Sequence, residues 1–524
     1  MTNPIAPIHK FSTVGTLADI ARYHAGLNPD AVALSFEGRE TTYRGLDAAS
    51  SRVANGLIAG GVKASGRVAI LDKNSDRFFE IWFGAAKANV VLVPINARLA
   101  GPEIAFVLND AEAEVLFVGE SFLNTLGKIR DQLISVRKII VVDRSYAEWR
   151  DAQADHDPRL AARSSDVCVQ LYTSGTTGQP KGVELTNANL VGALPSTIEA
   201  WGKWTIEDVL LLAMPLFHIA GCGTGMLGLL SGLKTIIVRE FAPQQILETI
   251  ESARVTIAFL VPAMLLTLMS EKNIEQTDLS SLRRIIYGAS PIPLELMRSA
   301  LRLFQHTGFV QIYGLTETTG VLTVLAPEDH SIADTAVMKS CGRATAGVEL
   351  RIVDTQGTPL APRQVGEIIC RTAKNMKGYW NRADETAKTL KDGWLRTGDV
   401  GYLDESGYLY IHDRLKDMIV SGGENIYPAE IESALYGHPD IADIAVVGVP
   451  DERWGEAVKA LVVVKQNRTA DAADILRYAR ERLAGYKIPK SIEFLPELPR
   501  NSSGKILKRV LREQYWRGRE RRVN

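Results

Sequence analysis

The sequence has few cysteines and no excess of charge of either sign. The four cysteines among its 524 residues lie far apart and form no CxxC pair, so neither a disulfide framework nor a zinc motif is indicated. The formal net charge of −1 argues against a dedicated nucleic-acid-binding protein, which normally carries a strong basic excess. A reduced, cytoplasmic compartment fits this composition best.

Long apolar runs are also missing. The run at 209–216 is far shorter than the roughly 20 residues that a membrane-spanning helix needs. The first residues show no basic region followed by an apolar core, so we expect no signal peptide. Peripheral contact with a membrane surface and a homodimer both stay open. The chain is too long for one compact core, and two or more domains are expected.

The most informative segment is 172–182, which reads Tyr-Thr-Ser-Gly-Thr-Thr-Gly-Gln-Pro-Lys-Gly. It follows the apolar run 167–171, and we interpret it as the loop at the carboxyl end of that strand. Its glycines can adopt positive φ, and its amides and hydroxyls can surround phosphate oxygens. The spacing is not that of a Walker motif. A flexible linker is the alternative, but a linker needs no strand before it. The candidate phosphate-binding residues are Thr173, Ser174, Gly175, Thr176, Thr177, Gly178 and Lys181.

Short β-branched runs alternate with helix-like stretches through the first part of the chain. We predict strands at 68–71, 90–94, 115–118, 139–142, 167–171, 235–238, 256–261, 284–287 and 309–313. This alternation predicts an α/β fold with mostly parallel sheets. Ligands of such sheets bind at the carboxyl ends of strands. We therefore expect the phosphate loop and the segments that follow residues 287 and 313 to lie on one edge.

The pattern changes from about residue 350. Short strands at 349–353, 366–370 and 407–412 predict a smaller β-rich subdomain. Beyond residue 416 the pattern predicts a compact α+β unit, with helices at 428–436 and 473–483. The charged stretch Asp413-Arg-Leu-Lys is typical of a linker. We predict a large domain at 1–415 and a small, mobile one at 416–524.

Five segments, in order, resemble the signatures of the adenylate-forming superfamily. That family holds acyl-CoA synthetases, peptide-synthetase adenylation domains and beetle luciferases. Segment 172–182 resembles its phosphate loop, Tyr313-Gly-Leu-Thr-Glu-Thr-Thr-Gly its adenine and magnesium motif, and Trp394-Leu-Arg-Thr-Gly-Asp its ribose motif. Segment 413–425 resembles its hinge, and Pro499-Arg-Asn-Ser-Ser-Gly-Lys its catalytic-lysine loop. The match spans essentially the whole chain and is nearest to bacterial fatty-acyl-CoA synthetases.

The resemblance implies an ATP site. The loop residues named above would hold the β- and γ-phosphates, Thr316 would touch the α-phosphate, and Glu317 would hold Mg²⁺, a cation that prefers oxygen ligands. Asp399, which follows Thr-Gly at an expected strand–turn junction, would accept the ribose hydroxyls. Arg414 would contact ribose or phosphate. The residues expected to line the adenine are Tyr313, Gly314, Gly288, Ala289 and Ser290.

The resemblance also implies how one site serves two reactions. Lys505 would stabilise the adenylation transition state. Rotation of the small domain about Lys416 would then remove Lys505 and bring Gly422 and Gly423 beside coenzyme A. His218 would gate the acid site, although a packed loop histidine explains it nearly as well. The small residues at 221–225 would leave room for an acyl chain or ring.

The sequence therefore predicts an ATP- and Mg²⁺-dependent acid:CoA ligase that releases AMP and pyrophosphate. A medium- or long-chain fatty acid is the favoured substrate. Two alternatives share the adenylation step: the substrate is an aryl or cinnamate-type acid, or the acyl group is transferred to a carrier protein. A non-catalytic nucleotide-binding paralogue is disfavoured, because a dead copy has no reason to keep Glu317, Asp399, Lys416 and Lys505 together.

Overall fold

Four sheets organise the chain in the computed structural model. The structure describes residues 13–174, 179–202, 204–333, 335–415, 417–421, 424–501 and 504–517. A nine-stranded and a seven-stranded sheet form the first part of the chain, and two five-stranded sheets follow. None of the described helices combines the length and the apolar character that crossing a membrane requires.

The strands range in length from two residues in β15 to eleven in β24. They are β1 Val32–Phe36, β2 Arg39–Thr42, β3 Arg67–Leu71, β4 Val91–Pro94, β5 Val115–Val118, β6 Lys138–Val141, β7 Val167–Ser174, β8 Pro180–Thr186, β9 Val209–Leu212, β10 Lys234–Ile237, β11 Ile257–Phe259, β12 Arg284–Gly288, β13 Gly308–Tyr313, β14 Thr323–Leu325, β15 Arg343–Ala344, β16 Val348–Val353, β17 Gly366–Thr372, β18 Gly378–Tyr379, β19 Leu390–Lys391, β20 Trp394–Leu403, β21 Leu409–Arg414, β22 Ile419–Ser421, β23 Glu424–Ile426, β24 Ile441–Asp451, β25 Gly455–Val464 and β26 Ser491–Phe494.

Helices connect most of the parallel strands. They are α1 Leu17–Leu27, α2 Tyr43–Ala59, α3 Arg77–Lys87, α4 Gly101–Asp110, α5 Leu123–Ile129, α6 Tyr146–Asp151, α7 Asn187–Trp201, α8 Ile219–Leu230, α9 Pro243–Ser252, α10 Pro262–Met269, α11 Leu294–Leu303, α12 Ala383–Thr389, α13 Pro428–Tyr436, α14 Ala472–Arg480 and α15 Lys508–Trp516.

The two large sheets are mostly parallel, as the alternating pattern predicts. The nine-stranded sheet has the order β15-β14-β13-β12-β11-β9-β10-β1-β2, and its six strands from β13 to β1 are parallel. The seven-stranded sheet has the order β18-β8-β7-β4-β3-β5-β6 and is parallel from β7 to β6. All residues of β3, β4 and β5 are buried. This explains why their sequences are apolar apart from Arg67, because helices cover both faces of parallel sheets.

The rest of the chain is antiparallel or mixed. The β-rich subdomain has the order β16-β17-β20-β19, with β21 paired to β20. The last sheet has the order β23-β22-β25-β24, with β26 added parallel to β25. Its helices α13 and α14 cover a separate apolar core that includes Ile431, Val446 and Ile475. The predicted β-rich and α+β units are therefore both present.

The structure corrects three details of the sequence reading. Strand β7 continues through Ser174 and pairs antiparallel with β8, so the predicted loop 172–182 begins and ends inside a β-hairpin. The loops after Gly288 and Tyr313 belong to the nine-stranded sheet, whereas the phosphate hairpin belongs to the seven-stranded one. Asp399, expected at a strand–turn junction, lies within β20.

Candidate active site

The phosphate hairpin places Lys181 at the start of β8, opposite Thr173 on β7. Lys181 forms an ion pair with Glu385 of α12, and its ammonium lies 5.0 Å from the centroid of the Tyr379 ring. Burial lowers the pKa of Lys181, and the Glu317 carboxylate opposes that effect. A half-buried cation therefore lies beside the hairpin, near the carboxylate that the resemblance assigns to magnesium.

The short strand β18 joins the two large sheets at this point. It pairs antiparallel with β8, with Tyr379 opposite Val183. The Tyr379 hydroxyl donates to Glu317 Oε1 at 3.0 Å, and the amide of Met376 donates to the carbonyl of Glu317 at 2.8 Å. Burial and Glu317 together raise the pKa of Tyr379, so it remains a neutral donor. Glu317 is thereby held next to the phosphate hairpin, although it comes from the other sheet.

Close backbone approach shapes the loops after β12 and β13. A Cβ on Gly288 would lie 2.3 Å from the carbonyl oxygen of Ile312, and one on Gly314 would lie 2.4 Å from that of Gly320. Side chains are therefore excluded at both glycines. Ala289, with φ of 63°, and the half-buried Ser290 continue the first loop. Tyr287 is buried beneath it.

Asp399 is the centre of a three-residue cluster. Its Oδ2 accepts a 2.7 Å hydrogen bond from the Tyr313 hydroxyl, and its Oδ1 lies 2.6 Å from Arg414 Nε. Asp399 and Arg414 are register partners on β20 and β21, and the Asp399 residue is only 4% exposed. Burial works against the charge on Arg414, but Asp399 raises the pKa of Arg414 above its usual value. The three residues assigned to adenosine therefore lie together.

His218 immediately precedes α8, and its carbonyl accepts from the amide of Cys222 at 3.0 Å. Burial lowers the pKa of His218 to about 4, with further contributions from the charges of Lys505 and Arg98. The imidazole is therefore neutral at neutral pH. Its ring centroid lies 4.6 Å from that of Phe217. An electrostatic effect of Lys505 on His218 requires that the end of the chain reach this part of the large domain.

The lysine loop is packed against the large domain. A Cβ on Gly504 would lie 3.7 Å from Val261 and 3.8 Å from Ala263, at the start of α10. Within the loop, the amide of Lys505 donates to Asn501 Oδ1 at 2.8 Å, and Arg500 donates to the carbonyl of Gly504 at 2.6 Å. The backbone of Gly504 and Lys505 is thus held by contacts with Asn501 and Arg500.

Charged groups tie α15 to the predicted hinge. Lys508 Nζ lies 2.9 Å from Glu432 Oε1 and 3.7 Å from Asp413 Oδ2. Arg512 pairs with Asp417 at 3.1 Å. Because Asp413 and Asp417 flank residue 416, the orientation of the lysine loop is coupled to the hinge through α15. The hinge residue Lys416 itself lies outside the described residues.

Two of the glycines at the start of α8 are closely packed and leave no space for a substrate. A Cβ on Gly221 would lie 2.1 Å from the carbonyl oxygen of Pro215, and one on Gly225 would lie 2.4 Å from Phe79. Cys222 and Thr224 are buried. These small residues let α8 pack closely on its neighbours. Among them Gly223 alone has an open side, with Ile219 at 3.6 Å.

Most of the assigned residues that the structure describes gather around this cleft. Lys181, Tyr379 and Glu317 form one group of contacts, with Thr316 next to Glu317 in the chain, and Tyr313, Asp399 and Arg414 form a second. The charge of Glu317 also acts on Arg414, and the charge of Lys505 acts on His218. Six of the other predicted site residues lie outside the described residues, namely Gly175, Thr176, Thr177, Gly178, Gly422 and Gly423.

Sequence reasoning missed four residues of the site. Tyr379 and Glu385 contact Glu317 and Lys181, Arg98 acts on His218, and Lys374 is buried behind the turn that holds Glu317. Isolated residues of these types give no signal in a single sequence. The segment Met-Lys-Gly-Tyr at 376–379 was the available hint, because a glycine before an aromatic residue often marks a close approach of the backbone.

Comparison with known proteins identifies the family. Residues 21–380 match the family described as AMP-binding enzyme, and residues 430–505 match the AMP-binding enzyme C-terminal domain. The chain is 40% identical over 515 residues to a fatty acid–[acyl-carrier-protein] ligase of Streptomyces coeruleorubidus, covering 97% of this chain and 98% of that protein. It is 40% identical over 492 residues to a feruloyl-CoA synthase of Amycolatopsis, covering 94% and 97%.

A solved structure supports the same relationship. The fatty acyl CoA synthetase of Mycobacterium tuberculosis aligns with a TM-score of 0.78 and 36% identity over 96% of this chain and 99% of that one. The chain therefore belongs to the AMP-binding enzyme family. It is an ATP-dependent, AMP-forming acid–thiol ligase, as the resemblance predicted.

Proposed function

We propose that this enzyme activates a medium- or long-chain fatty acid and transfers it to coenzyme A. A carboxylate resists attack by a thiol because it is negatively charged and has no good leaving group. Joining it to AMP creates a mixed anhydride and releases pyrophosphate. The thiol then displaces AMP. The observation that carries the proposal is that the charge of Lys505 acts on His218, whose neighbour Ile219 lies beside the loop that carries Glu317.

In the first step, the phosphate hairpin and Lys181 bind the β- and γ-phosphates, and Thr316 contacts the α-phosphate. Glu317 is a suitable ligand for Mg²⁺, because its oxygen atoms suit a hard cation that takes its other ligands from phosphate and water. Tyr379 orients this carboxylate through its hydrogen bond. Bound Mg²⁺ would neutralise charge on the phosphates, while these side chains fix their orientation.

Asp399 and Arg414 bind the ribose of the same nucleotide. A carboxylate can accept two hydroxyl hydrogen bonds, and the present contacts of Asp399 with Tyr313 and Arg414 preorganise it for that purpose. Adenine lies against Tyr313 and the backbone of 288–290 and Gly314. The exclusion of side chains at Gly288 and Gly314 supports close contact with a flat ring.

The acid binds between His218 and Lys505. A neutral imidazole does not compete with the substrate carboxylate for the ammonium of Lys505, and the lowered pKa of His218 keeps it neutral. Lys505 then lies where it can stabilise the charge that develops between carboxylate and α-phosphate. Fixed cations placed in this way commonly account for ~10²–10³ in rate.

The second step uses a different face of the small domain. We assign this domain to residues 416–524, with rotation about Lys416 after adenylation. Gly422 and Gly423 would then allow the pantetheine arm of coenzyme A to approach the acyl-AMP. The charged contacts of Asp413 and Asp417 with α15 support a hinge at this position, because they link its two sides to the helix that follows Lys505.

A carrier-protein thiol is a second candidate acceptor. It is favoured by the likeness to the Streptomyces ligase, whose name gives an acyl-carrier protein as substrate. The likeness to the feruloyl-CoA synthase favours an aromatic acid in the same way. The close packing of α8 removes the sequence argument that its glycines make room for a particular substrate.

One experiment separates these candidates. The enzyme is incubated with ATP, Mg²⁺ and a panel of aliphatic and aromatic acids, with either coenzyme A or phosphopantetheinylated carrier protein, and thioesters are quantified by mass spectrometry. We expect acyl-CoA products from fatty acids. If thioesters form only on the carrier protein, the acceptor is a carrier protein and not coenzyme A. If only feruloyl-type acids react, the substrate is an aromatic acid and not a fatty acid. Absence of pyrophosphate exchange with every acid would refute the function.

The proposal also covers the cellular location of the enzyme and its association with itself or with a membrane. We propose a cytoplasmic enzyme, since the composition suits a reduced compartment. Size-exclusion chromatography with light scattering tests for a homodimer. Sedimentation with anionic vesicles tests for peripheral membrane contact.

A further inference from the structure

Lys374 is a buried lysine that the proposed mechanism does not use. It lies between β17 and β18 and is 4% exposed. Its ammonium donates to Thr345 Oγ1 at 3.0 Å and to the carbonyl of Val321 at 3.4 Å. Burial alone lowers the pKa of Lys374 to about 8. No carboxylate of the described residues compensates the charge of its ammonium. An uncompensated buried ammonium is costly, and a local role would explain it.

The contacts of Lys374 enclose one short segment of backbone. Thr319 Oγ1 donates to the carbonyl of Lys374 at 2.7 Å, while the Lys374 ammonium holds the carbonyl of Val321. Thr319 and Gly320 both have positive φ, 55° and 96°. A non-glycine residue in this region persists when its surroundings enforce it. Lys374 therefore holds both ends of the segment 319–321 in an unusual conformation.

This segment faces the residue that follows His218. A Cβ on Gly320 would lie 3.4 Å from Ile219, so 319–321 forms the wall opposite the start of α8. The same segment directly follows Glu317. Its position therefore affects the space beside His218 more directly than it affects the adenosine cluster, which is held by Asp399 and Arg414 on other strands.

We propose that Lys374 is a positioning residue that sets the separation between 319–321 and the His218–Ile219 turn, and thereby the fit of the acid. This inference rests on the proposed function, because it takes the space beside His218 as the acid site. A displacement of about 1 Å at a reacting group can reduce the rate ~10²-fold. Loss of the contacts of Lys374 should therefore affect the acid and leave ATP binding intact.

The test compares Lys374→Met with wild type in acid-dependent pyrophosphate exchange. Methionine retains an unbranched apolar side chain and removes the ammonium. We expect the KM for the acid to rise at least about fivefold, with the KM for ATP within about twofold of wild type. Thr345→Val removes the hydroxyl that accepts from Lys374, so it should likewise raise the KM for the acid and leave the KM for ATP unchanged. Thr345→Ser keeps that hydroxyl and should have the KM values of wild type. Because the two residues share one contact, the double variant should be less than additive.

Lys87→Met is the matched control. Lys87 is also buried, but its ammonium is held by Asp47 and Ser51 on α2. We expect a lower thermal midpoint for this variant with both KM values unchanged, which separates loss of stability from loss of positioning.

Two results would overturn the role of Lys374. An unchanged acid KM in Lys374→Met, with wild-type exchange present, would refute this role alone. Equal rises in the KM values for acid and ATP would also refute it, because the effect would then be general. A wild type without exchange for any acid would refute the proposed function, and with it the assignment of an acid site to this wall.

Discussion

Lys505 acts electrostatically on His218, although the two residues come from different domains of the predicted organisation. Burial and the Lys505 charge together lower the pKa of His218 to about 4, and Gly504 lies beside Val261 and Ala263. A carboxylate placed between them would face a cation and a neutral ring. This arrangement suits adenylation, the first step of the proposed reaction.

Lys505→Ala should separate the two half-reactions. We expect acid-dependent pyrophosphate exchange to fall ~10²–10³-fold, because a preorganised cation is lost from the transition state. Conversion of supplied acyl-adenylate to the thioester should stay near wild type. Lys490→Ala is the control, since Lys490 is exposed on the same domain and should leave both reactions unchanged. Equal loss of both half-reactions would contradict the assigned role.

His218 should titrate far below an ordinary histidine. Observation of its ring by NMR should give a pKa near 4 in wild type. Lys505→Ala should raise that pKa, because a like charge is removed while burial remains. Activity between pH 6 and 8 should therefore not follow the ionisation of His218. An identical titration in both proteins would show that Lys505 does not act on the ring.

The sequence predicts this fold well where local patterns decide it. The buried strands β3, β4 and β5 are continuous apolar runs apart from Arg67. Helix α13 begins at Pro428 and ends at Tyr436, as predicted. Agreement is poorer where pairing between distant segments decides the structure. Strand β18 exists because Gly378 and Tyr379 pair with β8, and no local pattern in two residues predicts a strand.

The same distinction applies to the site. Thr173, Lys181, Glu317, Asp399 and Lys505 lie in motifs, so resemblance selects them. Residues that act on those groups from other segments are not selected. Glu385 contacts Lys181 only because α12 follows β18, and that placement depends on the pairing of two sheets. At α8 the sequence does not tell which small residue leaves space: Gly221 and Gly225 are closely packed, whereas Gly223 has an open side. A glycine marks the close approach of a backbone as readily as that of a ligand.

Glu385→Gln should strengthen ATP binding. Glu385 forms an ion pair with Lys181, and both side chains are partly buried. Phosphate must then compete with this carboxylate for the ammonium. Removing its charge should lower the KM for ATP by about two- to tenfold, because one competing charge interaction disappears. Steady-state kinetics at saturating acid measures the change.

Asp384→Asn is the control for that experiment. Asp384 precedes Glu385 in the first turn of α12 and is exposed, so its substitution removes the same charge from the same helix without freeing Lys181. It should leave the KM for ATP unchanged. A higher KM in Glu385→Gln would instead mean that the ion pair orients Lys181 for phosphate.

Asp72 should make the protein less stable at neutral pH than at mildly acidic pH. Burial raises the pKa of Asp72 to about 6, and its Oδ2 is buried with no hydrogen-bond partner among the described residues. The unfolded chain has the ordinary value of about 4. Between about pH 6 and 4 the folded state therefore binds more protons, so stability from this group rises as the pH falls.

Asp72→Asn should consequently raise the thermal midpoint at pH 7.5, where wild type carries the buried charge. The two-unit shift limits the gain in unfolding free energy to about 3 kcal/mol. The gain should shrink at pH 5, where the wild-type carboxyl is mostly protonated. Asp76→Asn is the control, and we expect the opposite result. Asp76 is buried in a bidentate pair with Arg39, so its substitution should lower the thermal midpoint. An equal gain at both pH values in Asp72→Asn would show that the carboxyl is not charged at pH 7.5 or that its charge carries no penalty.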